Sequence, residues 1–185
     1  MKSLLSSILL VSIFACGQTT VKQESRKNSD QPSNDWKKFD QSSYSVKYPS
    51  TWELDISGQN GTSFALFSPL ESNKDKFQEN VNLLVQDLEG QNVDLDRYTE
   101  ISEAGIKTMI TNSALIESKR IKNGNDEYHK IIYSGDQGIF HLQFEQYYWV
   151  INEKAFVLTF TSEKAKFADY KTIGEEILNS FILKK

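Results

Sequence analysis

One cysteine in 185 residues, Cys16, leaves no disulfide framework within the chain and no thiolate-cluster zinc site. There is no surplus of positive charge: 21 Lys and Arg stand against 25 Asp and Glu, a formal net charge of −4. That balance argues against a nucleic-acid binder, which needs a concentrated basic face. No apolar run is long enough to span a bilayer. The one pronounced run, Leu4 to Ala15, is interrupted by Ser6, Ser7 and Ser12 and reaches roughly 18 Å as a helix, against a ~30 Å hydrocarbon core. Catalytic signatures are missing too: there is no Gly-x-Ser-x-Gly elbow, no phosphate-cradling glycine loop and no His-Glu-x-x-His. Asp87, Asp94 and Asp96 lie close together without calcium-loop spacing and read as loop and helix-start carboxylates. What is present, 38% apolar and 12% aromatic residues, suffices for a core.

The apolar run follows Lys2 and ends in Ile13-Phe14-Ala15-Cys16. A positive start, a short apolar stretch and a small residue before the cysteine make a signal peptide over residues 1–15. The four residues resemble a bacterial lipobox. That resemblance implies that Cys16 is lipidated on sulfur, becomes the first mature residue and anchors the protein in the membrane, since several acyl chains hold stably. The alternative is an ordinary secretory signal with an incidental or buried thiol. Gly17, rather than aspartate, follows the cysteine, which tilts the expected location toward the outer membrane, facing the periplasm or the cell surface.

Residues 16–35 hold the cysteine and a polar tether whose only large apolar residue is Val21. Lys22, Arg26 and Lys27 balance Glu24, Asp30 and Asp35, so it reads as a solvated linker spanning about 60 Å when extended. From Trp36 the texture changes and stays uniform, which predicts one domain over residues 36–185 with no internal repeat.

Period-two alternation predicts strands at Tyr44 to Tyr48, Trp52 to Ile56, Phe64 to Phe67 and Val81 to Leu88, with a turn at Asn60-Gly61. The period then lengthens to 3.6. Leu95, Tyr98, Ile101, Ile106, Met109 and Ile110 predict a helix capped by Asp94 and stopped near Asn112, with Gly105 inside its apolar stripe. Strands return at Ala114 to Lys122, Tyr128 to Tyr133, Ile139 to Ile151 and Ala155 to Thr161, with turns at Asn123-Gly124, Ser134 to Gly138 and Asn152 to Lys154. The last two carry apolar residues on both faces, so both faces of the sheet centre should be covered. A final helix is expected from an N-cap at Ser162, with Phe167, Tyr170, Gly174, Ile177, Leu178 and Phe181 on its buried side. The class is α+β: an antiparallel β-sheet flanked by helices.

Tyr44-Ser-Val-Lys-Tyr-Pro-Ser-Thr-Trp52 is similar to the opening strand and turn of the PsbP-like superfamily, named for an extrinsic photosystem subunit. The strand Asn80 to Leu88 before Leu95-Asp-Arg-Tyr98, the strand Phe156 to Thr161 and the closing Ile177-Leu-Asn-Ser-Phe181 continue the resemblance over about residues 39–182. It implies an α-β-α sandwich and a binding or assembly role without chemistry or cofactor. Photosystem docking does not carry over, because the polar tether has no counterpart of the plant proteins' N-terminal region. Physically, Pro49 ends one strand and Trp52 seats the next with an aromatic anchor.

Three readings follow. The first is a lipid-anchored, non-catalytic envelope protein that binds a protein partner or assists an envelope complex. The second is a carrier with an apolar pocket between sheet and helix. The third is an enzyme or metal site using His129, His141 and Glu145, the two histidines of the chain and a nearby carboxylate. Against it, His141, Gln143 and Glu145 alternate with Phe140, Leu142 and Phe144 as a solvent face would. Tyr147 and Trp149 share a face, opposite Tyr148, and either line a groove for a ligand or partner or pack in the core.

Overall fold

The computed structural model describes residues 35–124 and 126–184. The expected signal peptide, Cys16 and the expected tether up to residue 34 lie outside them. The described residues run β1 (Trp36–Asp40), β2 (Tyr44–Pro49), β3 (Glu53–Asp55), β4 (Thr62–Phe67), β5 (Asn80–Asp87), α1 (Leu95–Met109), β6 (Thr111–Asn123), β7 (Asp126–Gln137), β8 (Phe140–Ile151), β9 (Lys154–Glu163), α2 (Phe167–Asn179) and β10 (Ile182–Leu183). A seven-stranded sheet has the order β3-β4-β5-β9-β8-β7-β6, and a three-stranded sheet the order β1-β2-β10. Every strand pairing is antiparallel. The α+β class expected from the alternation is the observed one.

Both faces of the large sheet are covered, as the two-sided apolar strands require. On one face Leu142, Phe144, Tyr148 and Val157 pack with Tyr98 and Ile106 of α1. On the other, Leu66, Leu83, Leu158 and Phe160 pack with Ile177 and Leu178 of α2 and with Tyr44, Val46 and Tyr48 of β2. Fully burying each such side chain contributes about 1.5–3 kcal/mol relative to exposing it. The Tyr44–Trp52 motif has the physical role read from it: the Trp52 amide donates to the Pro49 carbonyl (3.0 Å), and the indole is buried in the second core. Gly174 is a point of close packing, because a Cβ there would lie 2.7 Å from the Phe160 ring.

Several local expectations are corrected. The final helix does not start at Ser162. That residue pairs with Gln143 inside the β8–β9 ladder, and α2 begins five residues later behind Lys166, without a side-chain cap. The segment Ser134 to Gly138 is not a turn. The β7–β8 ladder continues to Gln137↔Phe140 and leaves only Gly138-Ile139 to reverse the chain. Gly135 sits in the strand because a Cβ would meet the Ile110 side chain at 2.2 Å. In α1 the N-cap is Asp94 as expected, its carboxylate accepting from the Arg97 amide. Its buried side, however, is Tyr98, Thr99, Ser102 and Ile106, while Met109 is exposed. Thr99 and Ser102 can be buried because their hydroxyls donate to the carbonyls of Leu95 and Tyr98 one turn back (2.8 Å each). The helix ends at Met109, before Asn112, and β6 follows at once. The small sheet was not expected. Its outer strands are short: β1 carries only two apolar residues, and β10 has two residues in all.

Candidate functional site

The histidine–carboxylate constellation does not assemble. In the β7–β8 register His129 pairs with Tyr148, Glu145 with Ile132 and His141 with Asp136. Seven ladder positions, about 24 Å, separate the histidines, and the odd offset puts them on opposite faces. No group of three or more His, Cys, Asp or Glu among the described residues is placed to hold a metal. His141 Nδ1 instead contacts Asp136 (2.5 Å), whose other oxygen accepts from Asn112.

Glu145 is not on a solvent face. It is fully buried in β8, where its Oε1 lies 2.6 Å from Lys130 Nζ and accepts from the Tyr147 hydroxyl at 3.1 Å. Lys130 also reaches Glu175 of α2 (3.3 Å), which is held by Lys171 (2.6 Å). Burial alone would lower the Lys130 pKa, but the two carboxylates raise it above the ordinary lysine value. This is an internal ion network linking helix to sheet.

His129 lies under α1, and its Nε2 is 2.7 Å from the hydroxyl of Ser118, which is 2.5 Å from Glu103 Oε1. A hydroxyl has one proton, and a carboxylate only accepts. Ser118 therefore donates to Glu103 and accepts from Nε2–H, which leaves the buried Nδ1 without a partner. Burial, and then the charge of Arg120, hold the His129 pKa below the usual histidine value. The polarity is opposite to that of a serine nucleophile and its base, where serine donates to histidine and the carboxylate holds the other ring nitrogen.

Tyr147 and Trp149 are each 3% exposed and belong to the core. Tyr147 stacks on Tyr128 (4.7 Å between centroids), and Trp149 packs on Phe181 (5.3 Å). Of the two alternatives read from the sequence, core packing is the observed one, and a surface shared by both residues is not. They are buried because α2 and the small sheet cover that face. Only Trp149 reaches a groove.

That groove, of about 750 Å³, opens where the start of α1, the β6–β7 hairpin, the end of β8 and β10 converge. Its apolar wall includes Leu95, Val150, Ile151 and Phe181, with Ile182 and Leu183 of β10 at one side. Four carboxylates line it: Asp94, Asp96, Asp126 and Glu127. Each is positioned by a bond. Asp94 caps α1 (2.8 Å), Asp126 accepts from the Trp149 indole N–H (3.0 Å), and Asp96 and Glu127 share Arg120. The sequence singled out Asp94 and Asp96 only as helix-start carboxylates. Arg120, Asp126, Glu127, Phe181, Ile182 and Leu183 were missed, because the groove draws on segments far apart in the chain and no local pattern marks it.

No protein-family model matches the chain, and neither does any curated protein. Solved structures do resemble it. Cyanobacterial PsbP (CyanoP) from Synechocystis sp. PCC 6803 is 12% identical, with a TM-score of 0.56 over 86% of this chain and 98% of that one. The fold is PsbP-like. LpqN of Mycobacterium tuberculosis, described as involved in cell envelope biogenesis, is 10% identical, with a TM-score of 0.62 over 82% of this chain and 93% of its own. A Pseudomonas aeruginosa protein described as of unknown function and a putative regulator, PA94, is 8% identical, with a TM-score of 0.56 over 81% and 98%. At these identities the PsbP-like likeness is one of fold.

Proposed function

We propose that the protein is a lipid-anchored, non-catalytic binding module of the bacterial cell envelope. Cys16 carries the anchor, in the outer membrane and facing the periplasm or the cell surface, and the PsbP-like fold engages a protein partner through the groove beside β10. The observation that carries the binding reading is the groove itself. Its carboxylates are fixed by capping and hydrogen bonds beside an apolar wall, a recognition surface rather than a nucleophile and its base. The envelope assignment draws support from the lipobox resemblance and from LpqN, a neighbour in fold described as acting in envelope biogenesis. A carrier would need an apolar cavity between sheet and helix. The α2–β9 contact is instead tight enough to leave no room for a Cβ at Gly174.

Two measurements test the reading. Cys16→Ser should leave the protein unacylated and move it to the soluble fraction; quantitative retention with membranes would refute the anchor. A photo-crosslinker placed at Ile182, which is 58% exposed at the groove, should capture one recurrent protein from the native membranes. No recurrent product would refute partner binding there.

A further inference from the structure

The groove's chemistry specifies a kind of partner, and the inference rests on the binding reading above. We propose that the groove takes an extended cationic segment of a partner protein, laid beside β10, with its basic side chains against the carboxylates and an apolar side chain on the wall near Trp149.

The charge is one-sided. Four carboxylates line the groove against Arg120, which is engaged by Asp96 and Glu127, and Lys122, which reaches Glu127 at 3.3 Å, an excess of two negative charges. The carboxylates do not have to be ordered on binding, because Asp94 is held by the helix it caps and Asp126 by the Trp149 indole. Fixed charges of one sign steer an opposite charge and select against a like one. Apolar surface lies within the same groove, so a segment mixing basic and apolar side chains satisfies both parts, whereas a wholly polar cation would leave Ile182 exposed.

Extended shape follows from β10. It is an edge strand of the small sheet, paired among the described residues with β2 alone, and both its residues line the groove. An edge strand offers main-chain donors and acceptors to an added strand, and alternating side chains then read the pockets to either side.

The test uses the full chain purified from its membranes in detergent. The probe is a fluorescent hexapeptide alternating Lys with Val and Phe, compared with its counterpart carrying Glu for Lys. Fluorescence anisotropy should show the basic peptide binding at least about tenfold tighter. Raising salt from about 50 to about 500 mM, which shortens the screening length about threefold, should weaken it. The double variant Asp126→Asn/Glu127→Gln keeps the indole's acceptor and removes two charges; it should lower affinity by about fivefold or more. Equal affinity for the two peptides, or no binding of the basic one, overturns the proposal. So does binding that appears only after residues 17–34 are deleted, which would assign the groove to the chain's own Lys22, Arg26 and Lys27. If the basic peptide fails while the Ile182 crosslink still captures a partner, the partner reading stands and this inference falls. If both fail, both fall.

Discussion

Replacing Lys130 by alanine should destabilise the protein far more than the loss of one surface ion pair would. The Lys130 side chain is 12% exposed, that of Glu145 is fully buried, and their charged atoms are 2.6 Å apart. Exposed pairs contribute about 0–1 kcal/mol. Breaking a buried pair by removing one partner costs about 3–5 kcal/mol, because the remaining charge is stranded away from water. Here the Tyr147 hydroxyl still donates to Glu145, which places the expected cost near the lower end, about 3 kcal/mol. For a fold of this size that is a fall in Tm of about 6–12 °C. A urea titration followed by tryptophan fluorescence should give a lower midpoint with an unchanged slope. The double variant Lys130→Met/Glu145→Leu should recover most of the loss, since it removes the stranded charge together with its partner. A cost under about 1 kcal/mol for Lys130→Ala would mean that the network behaves as a surface pair. A double variant no better than the single one would show that the loss was one of packing and not of charge.

Gly174→Ala should cost about 1–3 kcal/mol by overpacking, although alanine favours helices, because its Cβ would lie 2.7 Å from the Phe160 ring; adding Phe160→Leu should return part of it in the same titration. Two buried groups should give opposite pH slopes. Burial lowers the His129 pKa from 6.5, so its contribution is present above pH 6.5 and is lost as pH falls; His129→Gln should flatten that loss. Burial raises the Glu79 pKa from 4.5, so its contribution is present below pH 4.5 and is lost as pH rises; Glu79→Gln should therefore steepen the net acid loss between pH 4.5 and 6.5 in chemical unfolding.

The strands of the large sheet, the first helix and the two-sided burial of that sheet were legible because alternation and the 3.6-residue period report which face meets the core. What failed did so for stated reasons. Ser162 carries a good capping side chain, but the β8–β9 ladder outbids it and the hydroxyl is buried near Glu79 (3.5 Å). Glu145 alternates like a surface residue, yet Lys130 on the neighbouring strand and the overlying α2 make burial tolerable. Neither partner is near it in sequence. The same holds for the groove: Trp149 was noticed for its type, but Asp126, which orients it, and Phe181, which backs it, arrive through tertiary packing.

The three-stranded sheet has a mechanical consequence. The chain enters it at Trp36, opposite Pro49, whereas β10 joins at the other end of β2, opposite Ser45 and Tyr44. If the proposed anchor pulls on Trp36 while the proposed partner holds β10, the load acts along the strands and not across them. Such a load shears the β1–β2 pairs from Trp36↔Pro49 to Asp40↔Ser45 together, where a pull from the opposite end would unzip them one by one. The short strands that sequence patterning overlooked are thus the ones that would carry tension between the proposed anchor and the proposed partner.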